Sequence, residues 1–195
     1  MKKLVSLALA AVLAVSAVGC GSSSDSSSST ADSAQSTEAA ADGATFKIGG
    51  IGPITGGAAI YGQAVMNAAQ MAVDKINADG GINGYQVEFR FEDDEHDAEK
   101  SVNAYNTLKD WGMQMLMGTV TSTPCTAVSA KTEEDNMFQL TPSGSAVESI
   151  APANAFRVCF SDPNQGTASA QYIGENKLAN KVAVIYNSSD VYSSG

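Results

Sequence analysis

Residues 46–69 read FKIGGIGPITGGAAIYGQAVMNAA, a short apolar strand that runs into a glycine-rich turn and then opens a helix. Such a turn gathers backbone N–H groups, the Thr55 hydroxyl, the Tyr61 phenol and a helix N-terminus at one point. Open α/β sheets receive small ligands at places of this kind. A nucleotide is the first chemistry to test, and the spacing rejects it. Thr55 stands where a dinucleotide fingerprint beginning at Gly50 needs its third glycine, and no Lys-Ser/Thr pair follows as a phosphate loop requires.

Outward from this stretch the chain alternates between two periods. Val65, Ala68, Ala69, Ala72, Val73 and Ile76 form a helical stripe over 61–78, closed by Asn77-Ala78-Asp79-Gly80-Gly81. YQVEFRFEDD (85–94) alternates as a strand, and 97–109 carries Val102, Tyr105 and Leu108 at helical spacing. MQMLMG (113–118) reads as a buried strand with Met113, Met115 and Met117 on one core face and Trp111 packed before them. A helix is expected over 124–135, strands over 137–142 and 155–160, a helix over 164–177 and a strand, KVAVIYN, over 181–187. Strands alternating with helices at this spacing predict an α/β fold with a mostly parallel, Rossmann-like sheet covered on both faces. Right-handed crossovers then bring the carboxyl ends of the strands to one edge, and the loops at that edge are the candidate site.

The first 45 residues are of another kind. Met1-Lys2-Lys3, a 16-residue apolar run and a small-residue approach to Cys20 read as a secretion signal over 1–19, too short to span a bilayer comfortably. Ala17-Val18-Gly19-Cys20 resembles a bacterial lipobox, with alanine where leucine is usual, so Cys20 is expected to carry a diacylglyceryl anchor. Two acyl chains suffice for stable anchoring; an ordinary secretory signal without lipid is the alternative. From Gly21 to Thr45 the chain is almost wholly Ser, Ala, Asp, Thr, Gln, Glu and Gly, too polar to bury a core. It reads as a tether over 20–45 with a root-mean-square span of about 25–30 Å. A serine-rich leader of this kind suits a protein held at the outer face of a bacterial cytoplasmic membrane.

About 150 residues remain, enough for one sizeable core and poor for two complete lobes. With 21 acidic against 11 basic residues the chain is a poor partner for nucleic acid, which demands clustered Lys and Arg. The run Glu92-Asp93-Asp94-Glu95-His96-Asp97 holds metal-ligand types, but adjacent residues at a strand end point different ways, and Asp97-Ala98-Glu99 looks like a helix start. His96 is the sole histidine, so a Ser-His-Asp arrangement would have to use it amid that acidic run. No enzyme, metal or cofactor is expected. Cys125 and Cys159 remain after Cys20 and are read as two thiols, although export permits a disulfide.

The edge loops, taken in order, are GPITGGAAIYG (52–62), EDDEHD (92–97), GTVTSTPC (118–125), TPSGSAVES (141–149), FSDPNQG (160–166) and YNSSDVYSSG (186–195). Together with the run AVDKINADGGINGYQVE they resemble the type I periplasmic binding proteins, and most closely the branched-chain amino-acid binding subunits of ABC transporters. The resemblance runs from about Phe46 to the last residue. It implies a two-lobed receptor, expected to be a monomer, that holds a small amino acid between its lobes and delivers it to a permease driven by ATPase subunits.

On that layout 46–161 is most of the first lobe and 162–195 the start of the second. The chain stops at YSSG, where the family begins another helix, so it is expected to be C-terminally truncated. Expressed alone, these residues are expected to fold weakly and bind no amino acid, an expectation a tight calorimetric isotherm with leucine would overturn. The resemblance also assigns roles. Ser122 would give hydroxyl and N–H to the ligand carboxylate, Ser143 a backbone carbonyl, and Ser145 an N–H to the carboxylate and a hydroxyl to the ammonium. Tyr61 and Tyr192 would wall the side-chain pocket from opposite lobes. The acid that pairs with the ammonium would lie beyond Gly195. The alternative for Ser122 and Ser145 is a helix cap, which Ser performs routinely, and the two roles can coincide.

Overall fold

A computed structural model describes residues 43–195; the signal segment, Cys20 and the tether up to residue 42 lie outside the described residues. The chain runs β1 (Thr45–Gly52), α1 (Ala59–Ala78), β2 (Gln86–Asp93), α2 (Ala98–Asp110), β3 (Met115–Gly118), α3 (Ser122–Glu134) and β4 (Gln139–Thr141). A 3-10 turn (Val147–Ile150), β5 (Ala155–Arg157), α4 (Asp162–Glu175) and α5 (Val191–Ser194) follow. All strand pairings are parallel, in the order β2-β1-β3-β4-β5, with Ile48 opposite both Phe89 and Met115. The parallel α/β sheet expected from the alternation is therefore formed.

Local chemistry explains the boundaries. Asp97 caps α2 by accepting from the Lys100 N–H at 2.8 Å, and Ser161 caps α4 the same way through Asn164. Asn77, in the last turn of α1, ties that helix to β2 by accepting from the Val87 N–H at 2.7 Å and donating to the Val87 carbonyl at 2.9 Å. Gly81 follows at φ +81°, and a Cβ there would stand 2.1 Å from the Tyr85 carbonyl oxygen, so only glycine closes this connection.

The core lies between β1, β3 and the pair α2 and α3. Ile51, Tyr105, Leu108, Leu116 and Val128 are fully buried there, with Ala104 and Met113 beside them. Burial of a side chain such as Leu108 is worth about 1.5–3 kcal/mol. The β3 face differs from the expectation. Leu116 and Gly118 are buried while Met115 and Met117 are only partly so, because Met113 precedes the strand and packs into the core from the turn after α2.

The opposite face of the sheet is covered by α1 only over β1 and β2. Further along, Phe138 and Phe156 stack with ring centroids 5.3 Å apart and remain 40% and 48% exposed, so the sheet is not covered on both faces along its whole width. The strand expected over 181–187 is also absent. No strand among the described residues lies beside it to take its ladder, and Val184 and Ile185 stand 79% and 99% exposed.

Candidate functional site

The carboxyl ends of the strands deliver their loops to one edge. The glycine-rich turn after β1 is shaped by β2: Asp93 accepts from the Ile54 N–H at 2.9 Å and from the Thr55 hydroxyl, while Gln63 donates back to the Ile54 carbonyl at 2.9 Å. Partial burial pushes the Asp93 carboxyl up, but the Thr55 hydroxyl and the N–H groups of Ile54 and Glu95 outweigh it and hold it below the usual carboxylate range. Thr55 is thus spent on the loop and does not line the cleft. Gly62, in the first turns of α1, lets the helix touch that loop; a Cβ there would stand 1.8 Å from the Pro53 carbonyl oxygen.

The loops after β3 and β4 are laced together. Ser122 is the first residue of α3, and its hydroxyl oxygen accepts from the N–H groups of Ser145 at 3.2 Å and Ala146 at 3.3 Å. Ser143 donates its hydroxyl to the Val120 carbonyl, and Thr141 donates to the Thr119 carbonyl at 2.6 Å. Arg157 on β5 holds the loop from outside, donating to the carbonyls of Ser145 at 2.8 Å and Ala146 at 3.0 Å. Neither Ser122 nor Ser145 caps a helix: the caps of α3 and of the 3-10 turn are Thr121 and Ala146, neither with a side-chain cap bond. The α3 N-terminus therefore reaches the cleft with its first N–H groups uncapped by any side chain.

These loops enclose a cleft of about 420 Å³. Tyr61 stands on one side and Tyr192 of α5 on another; Ser122, Ser143 and Ser145 line the β3 and β4 side. All five site residues named from the sequence meet in this cleft, with Ser122 and Ser145 each 2% exposed and Tyr61 and Tyr192 open at 64% and 47%. Cys20 lies outside the described residues. The Ser145 hydroxyl makes no hydrogen bond among the described residues.

Five further residues line the cleft without having been singled out, Ala58, Val120, Thr121, Phe160 and Asp190, and Cys159, read from the sequence only as a thiol, lines it too. Their signal was their place in the edge loops; which of them face inward depends on loop geometry. His96 lines it as well, its Nδ1 2.9 Å from the Thr121 hydroxyl oxygen and its Nε2 3.6 Å from Asp190 Oδ1.

The acidic run of 92–97 disperses rather than converging. Asp93 serves the glycine turn, Asp94 is buried, Glu95 pairs with Lys100 at 2.6 Å and Asp97 caps α2. Among the described residues no three His, Cys, Asp or Glu side chains gather as a metal site. Cys125 is a buried free thiol and Cys159 a half-buried one, and burial pushes both thiols up, away from the thiolate form. Chemically the cleft offers hydroxyl and N–H donors beside aromatic and aliphatic walls, an arrangement suited to a small polar molecule.

The chain is 34% identical over 151 residues to the Leu/Ile/Val-binding protein homolog 3 of Brucella melitensis, covering 76% of this chain and 41% of that one. Among solved structures it resembles the leucine binding protein LivK of Thermotoga maritima, with a TM-score of 0.70 at 27% identity over 77% of this chain and 43% of that one. It also resembles the branched-chain amino acid transporter substrate binding protein LivJ of Streptococcus pneumoniae, solved with isoleucine, with a TM-score of 0.64 at 29% identity over 68% and 38% of the two chains. The chain spans about two fifths of the length of these relatives. A family profile described as periplasmic binding protein matches residues 45–195, and the chain belongs to that family.

Proposed function

We propose that residues 46–161 form most of the first lobe, and residues 162–195 the start of the second, of an extracytoplasmic substrate-binding component that captures branched-chain or related amino acids for an ABC importer. The observation that carries this reading is the convergence of Ser122, Ser143, Ser145, Tyr61 and Tyr192 on one cleft.

A zwitterion taken out of water needs aimed polar groups at each charge. With its oxygen occupied by two backbone N–H groups, the Ser122 hydroxyl has its own proton free to donate to a carboxylate. The α3 N-terminus adds N–H donors and a favourable dipole without placing a cationic side chain there. The Ser145 hydroxyl takes the ammonium side, the Ser143 carbonyl accepts beside it, and the two tyrosine rings cover the aliphatic side chain. The bound amino acid passes to permease and ATPase subunits, while a lipid on Cys20 and the serine-rich tether hold the monomeric receptor at the extracellular face of the cytoplasmic membrane.

A second reading, a small organic acid or amide as ligand, has one observation in its favour. Asp190, the carboxylate that lines the cleft, is already engaged by His96 and by the Ser193 N–H, and so is not free for an ammonium. A thermal-shift and calorimetric panel on the complete gene product separates the two. Stabilisation by leucine, isoleucine or valine is expected; stabilisation by amides alone would overturn the amino-acid reading.

A further inference from the structure

We propose that His96 is a positioning residue that clasps the two walls of the cleft, joining the α3 N-terminus to the start of α5 and so setting how long a ligand is held. The proposal rests on the reading of the cleft as an amino-acid site. The imidazole lies within hydrogen-bond distance of one wall and faces a carboxylate of the other. Nδ1 lies 2.9 Å from Thr121 Oγ1, the N-cap of α3, and Nε2 lies 3.6 Å from Asp190 Oδ1, the N-cap of α5.

The Thr121 hydroxyl can donate to Nδ1 or accept from it, and Nε2 presents its side of the ring to the Asp190 carboxylate. Asp190 is itself divided: Oδ2 accepts from the Ser193 N–H at 2.8 Å and fixes the turn that carries Tyr192, while Oδ1 faces His96. A change at His96 is thereby transmitted to a cleft-wall ring, Tyr192, on one side and to the residue preceding Ser122 on the other.

The loop is built to present this ring. His96 sits in the left-handed region at φ +62°, following Glu95 at φ +49°, and its N–H donates to the buried carboxylate of Asp94 at 2.9 Å. Thr119 donates to the Thr121 carbonyl at 3.1 Å and holds the other partner in place. Among the described residues no hydrogen bond joins the glycine turn or the serine loops to Asp190, and the α3 and α5 backbones also approach each other directly.

The test uses the complete gene product with leucine as probe. His96→Asn keeps a residue that tolerates the left-handed backbone, and Asp190→Asn keeps the cap on Ser193. Each single variant is expected to speed leucine dissociation about two- to fivefold, the range of a partly exposed charged contact, with association unchanged. The double variant should dissociate no faster than the faster single one, since both remove the same contact. Unchanged dissociation in both singles, or multiplied effects in the double, would overturn the clasp. If the unaltered protein binds no leucine, the amino-acid reading falls, and small-angle scattering of the unliganded protein decides the clasp. A larger radius of gyration in both single variants supports it, and equal sizes overturn it.

Discussion

Asp94 is the residue whose environment departs furthest from what its neighbours in sequence suggest. It reads as one of five acids on a polar loop, yet it is fully buried, with one oxygen bonded to the His96 N–H and the other without a partner. Burial, opposed by that N–H and reinforced by the charge of Asp93, raises its pKa from 3.8 to about 6. A carboxyl that binds its proton more tightly when folded stabilises the protein below its unfolded pKa, and that contribution is lost as pH rises from about 4 to 6. The full swing is on the order of 3 kcal/mol. Asp94→Asn should flatten this dependence, so that urea unfolding at pH 4.5 and 7.5 gives a smaller difference for the variant than for the parent; equal differences would count against the assignment. Ser122 carries the companion prediction. Removing its oxygen orphans the Ser145 and Ala146 N–H groups and takes a donor from the ligand, so Ser122→Ala should weaken leucine binding about tenfold or more, read by calorimetry, while Ser122→Thr retains most of it.

At the scale of elements, the helices α1 to α4 were legible, the polar α3 among them at 124–135, but the polar contacts that bury α3 were not. The α2 stripe of Tyr105 and Leu108 and the alternation of β2 appear where expected, because a helix or strand with one buried face writes its period into the sequence. Helix α3 writes no such period: it buries Ser122, Cys125, Ser129 and Thr132 with Val128. Its partner on β4 is Gln139, which accepts from Thr132 at 2.7 Å and donates to the Cys125 sulfur at 3.3 Å. A polar pair that satisfies itself inside the fold is invisible until both partners are in place. The contact of α1 with the glycine turn depends on a single missing atom. Gly62→Ala would force a methyl group against the Pro53 carbonyl and should destabilise by about 2 kcal/mol or more in chemical unfolding. Gly57→Ala, which meets only open space, should change stability by less than about 0.5 kcal/mol.

At the scale of the whole molecule, binding and stability are linked. If the cleft holds an amino acid, leucine at a hundred times its Kd should raise the unfolding free energy of the complete gene product by about 2.7 kcal/mol, measured by chemical denaturation. No change would mean that leucine does not bind the folded state. The sequence alone determined the α/β class, the parallel order of alternating elements and the loops that form the site edge, because those follow from periodicity, turn residues and the handedness of crossovers. Periodicity also proposed a strand at 181–187 that the structure does not contain: a strand is completed by a neighbour's hydrogen bonds, which its own residues cannot supply. Only the tertiary structure decided that Ser122 binds the Ser145 loop instead of capping its own helix, that Asp94 turns inward, and that His96 reaches Asp190 across 94 positions of sequence. These are distances between loops, and loop conformation is set by contacts far apart in the chain.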